Sequence, residues 1–166
     1  MNWALANIMK KIFFLAFFIL TGCGPGCADY SEGLWGTGYT FHRTSSIGRQ
    51  IWPKPNRKCP NVCGSINSIV MGYDYNKHVI AAVRQIRNDY RCDENYLAAE
   101  ITNNVVFEYI DLSDGSWSGS LPLDALAKLG ETEEFRKIDI VRLLSSANHK
   151  KPVRALTNCT NPKLVE

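Results

Sequence analysis

The chain has 166 residues, 45% of them apolar or aromatic, with a formal net charge of +3. That composition excludes an extended disordered polymer and fits one folded domain with a single core. The basicity is carried by the leader: residues 1–22 hold Lys10 and Lys11 and no acid, so the remaining 144 residues set 17 cations against 16 acids, a net charge of +1. No clustered basic excess remains for a nucleic-acid partner.

The first segment has the layout of an export signal. Lys10 and Lys11 precede an unbroken apolar run from Ile12 to Leu20, followed by Thr21, Gly22 and Cys23. Nine apolar residues fall well short of the ~20 that a spanning helix needs, and Gly24-Pro25-Gly26 breaks any helix that would continue. Leu20-Thr21-Gly22-Cys23 resembles the lipobox of bacterial lipoproteins. The resemblance implies that Cys23 carries a diacylglyceryl group on its sulfur, that cleavage removes residues 1–22, and that the freed amine is acylated, palmitate being the usual chain. Met9-Lys10-Lys11 is the more typical start of such a leader, so translation is expected to begin at Met9. Gly24 after the cysteine resembles the outer-membrane sorting preference of a Gram-negative host. The expected location is therefore the bacterial envelope, with the membrane itself as a partner through the anchor.

Residues 23–33 read as a flexible tether of Gly, Pro, Asp, Ser and Glu, and residues 34–166 as the globular domain. Tyr39, Phe41 and Arg43 alternate with Thr40 and His42 as in a half-buried strand. Pro53, Pro55, Pro60 and Gly64 make residues 53–64 a loop around Cys59 and Cys63. Ile69 to Tyr73 reads as a strand, with Asp74 to Lys77 as a turn. Val79, Ala82, Val83, Ile86 and Tyr90 have the spacing of an amphipathic helix, while Val79 to Val83 equally fits a short buried strand.

Val105 to Ile110 is the clearest strand, and the Asp-Gly turn at Asp114-Gly115 predicts a hairpin returning through Ser116 to Gly119. Leu123 to Leu129 fits a short helix with Pro122 in its first turn and Gly130 beyond its end. Thr132 is placed to cap a further turn at Glu133 to Phe135. Ile138 to Leu144 reads as a last strand, and the tail from Asn148 as a surface segment that Cys159 can pin.

A second resemblance covers the middle of the chain. Val70 to Tyr75, Val79 to Ala82, Tyr109 to Gly119 and Leu121 to Leu129 are similar to the Tyr-rich strand, Ile-Ile-Ala-type strand, Asp-x-x-x-Gly hairpin and short helix of a family of small bacterial lipoproteins without assigned activity. Gly119 to Leu123 departs from that pattern. The resemblance implies a strand at Val79 to Val83 and brings no catalytic residue. The expected fold is α+β: a mainly antiparallel twisted sheet built from hairpins, with one or two short helices.

With Cys23 lipidated, Cys27, Cys59, Cys63, Cys92 and Cys159 remain, an odd number that leaves at least one thiol free or paired with another molecule. Cys59, Cys63, Cys92 and Cys159 are the candidates for disulfides, Cys59 and Cys63 forming a local clamp. A single Cys-x-x-x-Cys far from His42 and His78 does not make a metal site, and no phosphate loop, nucleophile elbow or zinc-helix motif occurs, so no cofactor and no catalytic residue are expected. Asp111 and Asp114 read as turn chemistry. Trp35, Trp52 and Trp117 are large enough that at least two are expected in the core.

Charge is segregated along the chain. No acid occurs between Glu32 and Asp74, whereas Asp93 to Asp124 holds seven acids and no Lys or Arg. Cross-strand neutralisation between the two segments is the expected reason; a basic patch beside anionic headgroups at the anchor is the alternative. Three functions fit: a non-catalytic binding or accessory module acting on an envelope protein, an inhibitor or immunity protein against a toxin or wall hydrolase, and a thiol enzyme using Cys92 or Cys159.

Overall fold

The computed structural model describes residues 30–44, 48–92, 97–156, 159 and 162–165. The lipobox, Cys23, Cys27 and the start at Met9 lie outside the described residues. Among the described residues seven strands and two helices follow in order: β1 (Tyr30–Leu34), β2 (Tyr39–Arg43), β3 (Arg49–Pro53), β4 (Val70–Tyr75), β5 (Val79–Arg91), β6 (Leu97–Asp111), α1 (Leu123–Leu129), α2 (Ile140–Ser146) and β7 (Lys163–Leu164). The α+β expectation holds, with antiparallel hairpins throughout.

They make three layers. Strands β1, β2 and β3 form a small antiparallel sheet in that order, and β4, β5 and β6 a larger one, with β7 added to the far end of β5. One face of the larger sheet packs Val70, Ile80, Ala82 and Ile110 against Leu34, Tyr39, Phe41 and Ile51 of the smaller sheet. Its other face packs Val79, Ala81, Val83 and Phe107 against Leu126, Phe135, Ile138, Leu143 and Ala147 of the helical layer. Covering both faces explains the Val79 segment. All five residues from Val79 to Val83 are buried, so a continuous apolar run, rather than a helical stripe, is what a central strand requires.

Several expectations need correction. β1 already starts at Tyr30, so the last four residues assigned to the tether are paired strand, and the fold begins earlier than Leu34. Ile138 to Leu144 is not a strand. Asp139 caps α2 by accepting from Arg142 N at 2.9 Å, and Ile140, Leu143, Leu144 and Ala147 fall on the one helical stripe that meets the core. Thr132 donates to Leu129 O at 2.8 Å, closing α1 instead of capping a turn at Glu133, where the chain forms only a tight turn. Pro122 stands just before α1, at the cap. The return of the Asp-Gly hairpin is held by two isolated bridges, Ile110 with Trp117 and Phe107 with Leu121.

Two glycines admit close approaches. A Cβ on Gly72 would stand 2.6 Å from Ser146 Cβ, so its absence lets α2 lie on β4. Gly115 has φ +78° and faces Cys59, which packs the disulfide loop onto the hairpin turn.

The acidic β6 does not neutralise the basic segment. Its partner is β5, which supplies Arg84, Arg87 and Arg91, while Arg43 and Arg49 belong to the other sheet. Both hairpins close locally, which leaves the two charged segments no shared ladder. Among the described residues no helix is long and apolar enough to cross a membrane.

Candidate functional site

Alternation in the β1–β3 sheet sorts its side chains onto two faces. The rows Leu34–Tyr39–Pro53 and Glu32–Phe41–Ile51 face inward, and beyond them lies the row Tyr30–Arg43–Arg49. The opposite, outer face carries Ser31, Gly33, Thr40, His42, Gln50 and Trp52 in register.

On the inner side, where the small sheet ends beside β4, a cleft of about 480 Å³ is lined by Tyr30, Glu32, Arg43, Arg49, Tyr73 and Arg142 among others. Glu32 organises it. One of its oxygens, Oε2, accepts from both Tyr30 Oη and Tyr73 Oη, each at 3.0 Å. Burial, and then this hydrogen bond to a carboxylate, push the Tyr73 hydroxyl well above the ordinary tyrosine range. Phe41 stacks on Tyr73 with ring centroids 4.7 Å apart. Arg142 is held by Tyr73 O at 3.0 Å and by Asp74 at 3.4 Å. Arg43 and Arg49 stand directly opposite each other, and neither has an ion pair among the described residues.

The outer face presents aromatic surface. Trp52 is 44% exposed, donates from Nε1 to Asn67 Oδ1 at 3.3 Å and lies 5.4 Å from the His42 ring. Trp35, at the β1–β2 turn, is 89% exposed, and Trp117 is 48% exposed. The expected burial of two tryptophans therefore fails. The core is filled by branched aliphatics with Tyr39 and Phe107, which leaves no space that a tryptophan has to fill.

Trp117 Nε1 donates to Glu108 at 3.1 Å. Glu108 is fully buried and also accepts from Arg84 Nε at 2.6 Å and Ser120 Oγ at 2.7 Å. Each carboxylate oxygen has a donor, so this group is a structural polar centre rather than a free base.

The four predicted disulfide cysteines form two bridges, Cys59–Cys63 and Cys92–Cys159. The second joins the distal end of the β5–β6 ribbon to the tail and takes up both thiols considered for catalysis, so neither is a free nucleophile in this state. Gln85 anchors the tail independently, donating to Lys151 O at 3.0 Å and accepting from Lys151 N at 2.7 Å. Asp111 and Asp114 act as turn acceptors, for Ser113 N at 2.8 Å and Ser116 N at 2.7 Å. His42, His78 and His149 lie on separate elements, and no group of three or more His, Cys, Asp or Glu could hold a metal among the described residues.

Sequence reasoning missed the cleft. The only signal for it was the unbroken absence of acids from residue 33 to residue 73, which places two unneutralised arginines on one hairpin. Comparison with known proteins gives no matching family model, no matching curated protein and no matching solved structure.

Proposed function

We propose that this chain is a lipid-anchored protein of a bacterial envelope whose domain is a non-catalytic binding module. The lipobox-like Leu20 to Cys23 supports the anchor, and two or three acyl chains at ~0.8 kcal/mol per buried methylene hold a protein to a membrane. The observation that carries the binding role is the exposure of Trp35 and Trp52 at the turn and on the outer face of the small sheet. Tryptophan is enriched among the residues that dominate interfaces.

The partner is an envelope protein with an acidic or neutral contact surface. No carboxylate occurs from residue 33 to residue 73, and Lys54 lies across Gly33 on that side of the sheet, so an acidic partner is steered in and a basic one repelled. Membranes solubilised from cells carrying the tagged, full-length gene should yield one recurrent partner with the wild-type chain and lose it with Trp52→Ala. Equal recovery with Trp52→Ala and with Trp35→Ala would rule out this surface.

A further inference from the structure

We propose that Arg43 and Arg49 form a phosphate-binding site that takes the headgroup phosphodiester of an anionic phospholipid in the membrane holding the anchor. This rests on the lipid-anchored reading of Cys23.

Arg43 and Arg49 are register partners on adjacent antiparallel strands, in line with Tyr30. Like charges placed opposite each other on one sheet face are destabilising unless something neutralises them. Nothing described does so. Among the described residues Arg43 and Arg49 make no ion pair, and the Nε of Arg49 is buried without a hydrogen-bond partner. Of the two carboxylates on the lining, Glu32 is engaged by the hydroxyls of Tyr30 and Tyr73. Asp74, also on the lining, pairs with Arg142. The cleft lining thus sets three arginines (Arg43, Arg49, Arg142) against two carboxylates (Glu32, Asp74), and it has room for a headgroup, at about 480 Å³.

Guanidinium groups match phosphate oxygens bidentately, and two opposed forks fix a tetrahedral anion better than one. The source of that phosphate follows from the chain's direction. Tyr30, the start of β1, stands seven residues after Cys23, which at full extension is a reach of at most about 25 Å. The arginine row is therefore at the tethered end of the sheet, whereas Lys54, Arg57 and Lys58 follow β3 at its other end. Juxtamembrane cations close to an anionic leaflet are attracted to it, and two in a shaped cleft hold the domain in one orientation on the surface.

The test reconstitutes the mature, anchored protein into vesicles of phosphatidylcholine alone, or of phosphatidylcholine with phosphatidylglycerol, and maps arginine modification by phenylglyoxal with peptide mass spectrometry. Arg43 and Arg49 should react about tenfold more slowly in the anionic vesicles, the effect of one charged hydrogen bond, while exposed Arg136 reacts equally in both. Arg49→Gln should abolish the protection of Arg43 without lowering the thermal midpoint, since it removes one of two opposed like charges. Equal rates in both vesicles would overturn the site. Protection by inorganic phosphate in phosphatidylcholine vesicles as strong as that by phosphatidylglycerol would overturn the lipid as its ligand and assign a soluble anion. The mass of the N-terminal peptide reports the anchor in the same samples, so an unlipidated Cys23 with protection intact removes the anchor and leaves the site standing.

Discussion

Arg84 and Glu108 form an ion pair of 2.6 Å across β5 and β6, with the glutamate side chain only 1% exposed and the arginine 14%. It sits on the face of the large sheet that meets the small one, where desolvation is costly. It persists because Ser120 and Trp117 satisfy the remaining acceptor capacity of Glu108. Breaking one side of a buried pair costs about 3–5 kcal/mol, whereas replacing both partners by apolar groups is often near neutral. Arg84→Met should therefore lower the unfolding free energy by about 3 kcal/mol, and Arg84→Met with Glu108→Leu should recover most of that. Urea unfolding of the three proteins measures it; an additive double variant would mean the pair does not act as a unit.

The Cys92–Cys159 bridge spans 67 residues of sequence. Chain-entropy arguments assign a loop of that size about 4 kcal/mol, against about 2 kcal/mol for the short Cys59–Cys63 loop. Cys92→Ser with Cys159→Ser should cost the larger amount. It should also speed amide exchange at Val165, whose N–H bonds to Asp89 O at 2.8 Å, while Lys151, held separately by Gln85, keeps its protection. Uniform loss of protection through the whole chain would show that the tail and core unfold as one.

Tyr73 supplies a pH dependence whose sign can be worked out. Its folded pKa is raised above the ordinary 10.0, first by burial and then by the bond to Glu32. The native state therefore keeps a proton that the unfolded state releases, so the contribution is complete below pH 10 and is lost as pH rises toward the folded value. Phenolate absorbance should show a tyrosine that ionises late in the wild type and is missing from Tyr73→Phe. Glu32→Gln should bring that titration down, and an unmoved titration would contradict the assigned contact.

Trp52→Ala should weaken the envelope partner about thirtyfold, the effect of losing a hot-spot tryptophan worth about 2 kcal/mol. Stability should change by no more than about 1 kcal/mol, since the side chain is half exposed and makes a single hydrogen bond to Asn67. A large loss of stability with unchanged affinity would reassign Trp52 to the fold.

What the sequence disclosed depended on how each segment is covered. β2 and the centre of β6 alternate or are β-branched, and α1 is framed by Pro122 and Gly130, so all three are readable locally. β5 mimics a helix because a strand buried on both faces has no alternation to display. The first half of β6 holds Ala98, Ala99 and Glu100, poor strand formers kept extended by pairing with Arg87 to Arg91 and by the Arg154 bridge to Ile101. α2 was hidden because Ile140, Val141, Leu143 and Leu144 are all apolar, although Val141 is 79% exposed. Of the cleft, only the run without acids from residue 33 to residue 73 shows in the sequence, since Glu32, Arg43 and Tyr73 meet only when the two sheets stack.

The anchor is the claim on which the location, the partner and the headgroup site all converge. Intact mass spectrometry of the N-terminal peptide from protein extracted from membranes tests it directly. The account predicts a peptide that begins at Cys23 and carries a diacylglyceryl thioether with an acylated amine. A mature chain whose Cys23 is unmodified, recovered in the soluble fraction, would contradict it.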